Sequence, residues 1–292
     1  MSYPRFRYIA PKTVQEALDI LQKAHGRGEK AKILAGGTDL MIQLREKTVS
    51  PDVVLDISRI RTLARIERMG NEIRIGPLVT HTMLASSDLI REYMGVLSEA
   101  ARTVGSPQIR NLGTLGGNIV NASPAADTIP ALVILEARLI LTNTEGERVL
   151  PVTDFFEGPY KTVIAPDELL TGIIVPLPPP SGRAVFLKLA RRRALAIARM
   201  NLACMLYYNR QTELFEWVRL CVGSSTPRPV RMTAAEKMLK GQPYSDEVLE
   251  RAGSAAAEQM VALSGLRSST AYKKPVVGDL VIRAVRMAVE KG

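Results

Sequence analysis

The stretch Ile33-Leu34-Ala35-Gly36-Gly37-Thr38-Asp39-Leu40 runs from an apolar segment into two glycines and then opens a polar one. Lys32 to Ala35 reads as a short strand, and Asp39 to Arg45 as one or two helical turns. Glycines let a backbone come close to a ligand and take unusual φ/ψ values. Exposed N–H groups at such a turn can cradle a pyrophosphate. An ordinary strand–turn–helix corner with Thr38 or Asp39 as N-cap fits the same residues. The stretch is neither GxGxxG nor a Walker loop, so a dinucleotide Rossmann fold and a P-loop ATPase both lose support. A second stretch, Asn111 to Asp127, holds three glycines and three asparagines in 17 positions without clear periodicity. It reads as a long, small and polar loop of the kind that lines a ligand, with a surface Ω-loop as the alternative. Its asparagines offer donors and acceptors, and an ionised Asp127 suits ribose hydroxyls. Two such segments in one chain favour one shared ligand.

The rest of the sequence narrows the class. Its 292 residues suggest one large domain or two medium ones. Apolar and charged shares of 46% and 23% are ordinary for a globular chain. No apolar run reaches the length of a membrane span, and the N-terminus lacks a signal-peptide core. Cys204 and Cys221 are the only cysteines, in no paired motif, which fits a reducing cytoplasm and cannot supply four ligands to an iron–sulfur cluster. Two histidines, His25 and His81, exclude a three-histidine metal site.

Thr13-Val14-Gln15-Glu16 reads as a capping box opening a short helix. Residues 64–68 and 72–76 alternate around Gly70-Asn71 as a hairpin. Leu84 to Val104 reads as mostly helical. Ala126 to Leu135 reads as a helix in which Pro130 marks a kink or the first turn. Residues 138–142, 147–150 and 169–175 read as strands. Pro176-Leu177-Pro178-Pro179-Pro180-Ser181-Gly182 is an extended connector, dividing a domain at 1–177 from one at 178–292. Beyond it come three strand-like runs and then three helices, an α+β order. The charge balance changes at the same place. Lys and Arg against Asp and Glu stand at 20 to 20 up to Leu177 and at 19 to 9 after it. No nucleic-acid motif accompanies the basic excess, which suits a docking face for a protein partner.

The pair of glycine motifs, with Asn118, Asn121-Ala122-Ser123-Pro124 and Asp127, resembles the FAD-binding medium subunits of the molybdenum hydroxylases, the xanthine and aerobic carbon monoxide dehydrogenase type. Phe186-Leu187-Lys188 with Arg192, and Ala271-Tyr272-Lys273-Lys274, extend the resemblance over essentially the whole chain. It implies an α+β fold: a two-subdomain FAD-binding domain of the PCMH/vanillyl-alcohol-oxidase type, followed by a C-terminal domain with a three-stranded sheet and helices. It implies that Ile33, Leu34, Ala35, Gly36, Gly37, Thr38, Asp39 and Leu40 wrap the FAD pyrophosphate, that Gly113, Thr114, Gly117 and Asn118 add a second set of contacts, and that Asn121 and Asp127 serve its phosphate and ribose side. Leu170 and Lys188 would flank the isoalloxazine, where a cation stabilises negative charge on the reduced ring. Gly37→Val and Gly117→Val would then each abolish flavin binding. The sequence departs from the family's pattern at Ala196 and Ile197, where an acidic residue and an aromatic can stand.

In this family FAD passes electrons rather than acting on substrate. The resemblance implies a molybdopterin-binding large subunit and a [2Fe–2S] small subunit as partners, in a heterotrimer or its dimer, with NAD, quinone or another external acceptor. No residue here needs to be an acid, base or nucleophile. A stand-alone flavin-binding module and a self-sufficient flavin oxidase are the alternatives. Arg191, Arg192, Arg193, Lys273 and Lys274 are candidates for docking an acidic partner face.

Overall fold

Thr13 closes the first turn of a helix by accepting the Glu16 N–H at 3.1 Å, while the Glu16 carboxylate reaches back to the Lys12 N–H at 2.7 Å. The capping box is therefore shifted by one residue at its return bond. These details come from a computed structural model that describes residues 4–192 and 195–291; Arg193 lies outside the described residues. Along the chain the elements are β1 (Arg7–Ile9), α1 (Val14–Gly26), β2 (Ala31–Leu34), α2 (Leu40–Arg45), β3 (Val53–Asp56), β4 (Ile66–Met69) and β5 (Glu72–Ile75). Then come α3 (His81–Ser86), α4 (Asp88–Tyr93), α5 (Gly95–Arg102), α6 (Pro107–Leu112), α7 (Leu115–Asn121) and α8 (Thr128–Ile134). Strands β6 (Arg138–Thr142), β7 (Glu147–Pro151), β8 (Phe156–Gly158), β9 (Lys161–Thr162) and β10 (Leu169–Pro176) follow. The chain closes with β11 (Arg183–Ala190), β12 (Ala198–Asn209), β13 (Leu214–Gly223), α9 (Thr233–Leu239), α10 (Asp246–Ser264) and α11 (Thr270–Glu290).

Two compact units form. The first takes Met1–Leu84, Ser106–Ala122 and Ala137–Pro176; the second takes Ala85–Gly105, Ser123–Glu136 and Leu177–Gly292. The last segment of the second unit begins at Leu177, and two earlier stretches pack with it. The reason is visible in α8: every one of its seven residues, Thr128 to Ile134, is buried, so it needs cover on all sides, and it packs against β12 and β13.

The first unit holds two principal sheets. In one, β3 is central and parallel to both β1 and β2. Helix α1 lays Ala17, Leu18 and Leu21 against Leu55, Ile57 and Ile60 beside it. The other has the order β4-β5-β10-β6-β7 and is antiparallel throughout. The hairpin read around Gly70-Asn71 is its edge, and Gly70 takes a φ of +63° as that turn requires. The run from Asn111 to Asp127 is not one long loop. Leu115–Asn121 is helical, capped by Thr114, whose side chain accepts the Gly117 N–H, and anchored by buried Leu115 and Ile119. Two apolar residues four apart and a good N-cap outweigh the glycines. Likewise, Leu84 to Val104 is broken into short helices at Ser87 and Met94.

The second unit is built on the antiparallel sheet β11-β12-β13. Its core joins Met200, Leu202, Cys204 and Leu206 of β12 to Phe215, Val218, Leu220 and Val222 of β13, and to the apolar stripes of α9, α10 and α11. Strand residues two apart share a face, which is why these alternate positions meet the helices. Gly253 and Gly278 let α10 and α11 come close, with Gly253 3.0 Å from the Gly278 carbonyl oxygen when given a β-carbon. Phe215 is fully buried in this core. Phe215→Ala should destabilise the second unit by about 3–5 kcal/mol, read as a lowered denaturant midpoint; an unchanged midpoint would contradict the core assignment.

Candidate functional site

Residues Ile33 and Leu34 end β2, Ala35 to Asp39 form the turn, and Leu40 begins α2. A β-carbon at Gly36 would stand 1.9 Å from the Leu112 carbonyl oxygen, and one at Gly113 would stand 3.6 Å from the Thr38 hydroxyl. The two glycine motifs therefore meet backbone to backbone inside the first unit. Gly37 takes a φ of +71°, which glycine adopts without strain. Met41 N–H bonds the Gly37 carbonyl, and Ile42 and Gln43 N–H bond the Asp39 carbonyl. Among the described residues, the N–H groups of Gly36, Gly37, Thr38 and Asp39 donate to no acceptor. Asp39 at the N-cap position makes no side-chain capping bond, so the ordinary capped corner is not what forms. Buried N–H groups left without partners are costly, and the turn is half-buried at Gly36, Gly37 and Thr38. Four successive free donors on a small-residue turn form a donor set open to an anion.

The second motif is different in kind. The N–H groups of Leu115, Gly116 and Gly117 are taken by Val79, Pro77 and Thr114. A β-carbon at Gly116 would collide with Pro77, its atoms lying 2.4–2.8 Å away, so this glycine allows close packing. Gly113 and Thr114 are buried, Gly117 is exposed, and Asn118 and Asn121 are half-buried on α7. His81 lies under the junction. Its N–H donates to the Gly113 carbonyl at 3.0 Å, and its ring comes 3.3 Å from a β-carbon placed on Gly113. Burial, helped by the nearby Arg110 cation, pushes its imidazole down to about 4, so the ring is neutral, and its Nδ1 finds no partner among the described residues. Leu170 is buried in β10 opposite Leu141.

Asp127 and Lys188 belong to the second unit and meet there. The Lys188 ammonium pairs with Asp127 Oδ2 at 2.5 Å and donates to the Thr103 carbonyl at 2.8 Å. Asn201, opposite Lys188 in the β11–β12 register, donates to Asp127 Oδ1 at 2.9 Å and to the Ala126 carbonyl at 3.2 Å. Asp127 is 5% exposed and Asn201 0%. Burial pushes the Asp127 carboxyl above its ordinary value, against the opposing pull of Lys188, Asn201 and Thr103. Both carboxylate oxygens are thus engaged within the unit. Asn201 and Thr103 escaped the sequence reading, although one polar residue in the apolar run Met200-Asn201-Leu202-Ala203-Cys204 is a legible mark. Of the basic docking candidates, Arg192 clamps the Leu195 carbonyl and Lys273 reaches the Ser224 carbonyl, while Arg191 and Lys274 stay exposed.

Residues 4–178 match the family described as the FAD binding domain in molybdopterin dehydrogenase, and residues 185–288 match the CO dehydrogenase flavoprotein C-terminal domain. The chain belongs to the FAD-binding medium subunits of the molybdenum hydroxylases. It is 34% identical to the nicotinate dehydrogenase FAD-subunit of Eubacterium barkeri over 93% of this chain and 92% of the relative. It is 33% identical to the glyceraldehyde dehydrogenase medium chain of Sulfolobus acidocaldarius, over 97% and 98%. A solved carbon monoxide dehydrogenase from Hydrogenophaga pseudoflava superposes with a TM-score of 0.91 at 30% identity, covering 99% of each chain. This medium subunit is accordingly a flavoprotein component of an oxidoreductase, with FAD as its cofactor. Its glycines rank by what a methyl group would meet. Gly36→Ala should lose FAD. Gly37→Ala, strained by about 1–2 kcal/mol, should weaken FAD by up to about thirtyfold. Gly117→Ala, meeting only the Thr114 hydroxyl at 3.0 Å, should cost least. Flavin titration of the three apo-variants checks the order, and stoichiometric FAD in Gly36→Ala would contradict the cradle.

Proposed function

We propose that this medium subunit takes electrons from [2Fe–2S] clusters on a small partner subunit and passes them through FAD to an external acceptor, NAD or a quinone. Substrate would be oxidised on a molybdopterin-binding large subunit, in a heterotrimer or its dimer. The carrying observation is the ligand chemistry of the chain. Cys204 and Cys221 are both buried in the β12–β13 sheet, and burial pushes both thiols far up. No group of three His, Cys, Asp or Glu among the described residues could hold a metal. In this reading an electron source built on metal clusters would sit on another chain. Relatives called medium chains, matched nearly end to end, support the same division of labour. Among the described residues no helix is long and apolar enough to cross a membrane, and we infer a cytoplasmic setting from the unpaired cysteines.

When bound, FAD would supply the redox chemistry. The chain's own residues hold and tune it. The N–H groups of Gly36 to Asp39 would take the pyrophosphate oxygens, with Ile33 to Ala35 and Leu40 fixing the ends of that turn. Gly113, Thr114, Gly117, Asn118 and Asn121 would line the phosphate side. Lys188 would stand beside the flavin ring, offering positive charge where reduction adds negative charge, and Leu170 is assigned to the same ring. Asp127, with both oxygens engaged, fits the holding of Lys188 better than a direct bond to ribose. A stand-alone module or a self-sufficient oxidase would need no partner. The purified chain should be yellow, acid precipitation should leave FAD in the supernatant, and substrate should bleach the flavin only after both partner subunits are added. Colour retained in the pellet, or substrate-driven bleaching of the lone chain, would overturn the proposal.

A further inference from the structure

Asn201 is a polar side chain with no exposure, within the buried run Met200–Leu206 of β12. Its amide nitrogen is well used, donating to Asp127 Oδ1 and to the Ala126 carbonyl. Its Oδ1 has no hydrogen-bond partner among the described residues. A buried acceptor without a donor costs about 1–3 kcal/mol, so a leucine or methionine would sit at this position at lower cost if packing were all that mattered. Space for the amide is made by a specific neighbour. Gly223, its register partner on β13, would place a β-carbon 2.0 Å from Asn201 Oδ1. What the costly amide secures is the side of the Asp127 carboxylate that Lys188 leaves open. Lys188 in turn has two of its three N–H donors fixed, one by Asp127 and one by the Thr103 carbonyl. Removing one partner from a buried ion pair leaves an uncompensated charge and is far more disruptive than removing an exposed one.

We propose that Asn201 is a positioning residue whose buried amide keeps the Asp127 carboxylate ionised and turned onto Lys188, so that the flavin meets a fixed, neutralised pair in place of a bare cation. The inference rests on the reading that puts Lys188 beside the flavin ring. Asn201 touches no cofactor in this scheme; it acts through Asp127. Among the described residues the charged group facing Asp127 is Lys188 from β11; Thr103, after α5, and Asn201, on β12, face it as neutral groups. Burial already works against the ionised Asp127, so loss of the amide donor drives it toward the protonated form. The pair then carries a net positive charge, which favours the reduced flavin and raises its potential. The effect grows as pH falls through the titration of Asp127 and vanishes above it.

The test is the midpoint potential of the FAD-loaded full chain as a function of pH, with FAD content measured in parallel. Lys188→Met should shift the potential down at high pH, where Asp127 is ionised. Asp127→Asn, nearly isosteric, should shift it up. Asn201→Leu should follow the unsubstituted chain at high pH and Asp127→Asn at low pH, with an inflection between that the unsubstituted chain lacks. Gly223→Ala, which displaces the amide without removing it, should give the same inflection, and adding Asn201→Leu to Asp127→Asn should shift nothing further. A structural role alone would change FAD content or melting and leave no inflection. If Lys188→Met leaves the potential unmoved, the placement of Lys188 falls and the inference with it. If Lys188→Met moves it while Asn201→Leu and Gly223→Ala overlay the unsubstituted chain, the positioning role alone is overturned. Asp127→Asn coinciding with the unsubstituted chain across the pH range overturns it as well, even if the Asn201 and Gly223 variants fail to fold.

Discussion

Between Gly36 and the Leu112 carbonyl oxygen there is no room for a side chain, since a β-carbon would sit 1.9 Å from that oxygen. This backbone-on-backbone contact joins the two glycine motifs, and the donor set of the turn depends on it. Beside it β2 ends, Gly37 takes a positive φ, and the N–H groups of Gly36 to Asp39 have no acceptors among the described residues. Helix α2 then starts without a side-chain cap. The N–H groups without acceptors cost stability in the protein alone, and under the proposed reading a diphosphate would take them up. Unpaired donors that gather at one turn mark a place open to a ligand.

The second unit solves a different problem. It must keep a lysine and an aspartate largely out of water, and it engages Lys188 with the Thr103 carbonyl and Asp127 with the Asn201 amide, itself held by the Ala126 carbonyl. A buried pair of this kind contributes little net stability. Its value lies in holding charge at a fixed place. The sheet supplies that fixity, because Lys188 and Asn201 are register partners on β11 and β12 and Gly223 is the partner of Asn201 on β13. Three adjacent strands thus determine the geometry of one ion pair.

Much of this was legible in the sequence, for reasons that can be named. The hairpin at Gly70-Asn71, the first-turn position of Pro130 and the apolar stripe of α11 follow local rules of turn, cap and periodicity, and the structure shows each. Helix α7 was hidden because its glycines carry poor helix propensity, while the Thr114 cap and the burial of Leu115 and Ile119 decide the matter. The membership of Ala85–Gly105 and Ser123–Glu136 in the second unit depends on which surface covers them, which no local pattern states. The motifs pointed to Gly37 and Gly117, whereas the tightest constraint is at Gly36, because its neighbour is a backbone 76 positions later in the sequence. Asn201 was overlooked because its meaning comes from Asp127, far away in the chain.

If the free N–H groups at the Gly36–Asp39 turn hold a pyrophosphate, a flavin with a diphosphate should bind far more tightly than one without it. FAD and FMN carry the same ring, but FMN has a single phosphate. Titrating the apo-chain with each by flavin fluorescence should give an affinity for FAD at least about a hundredfold higher, equivalent to roughly 2.7 kcal/mol or more. Equal affinity for FMN and FAD would place the binding energy in the ring alone and contradict the role given to the turn.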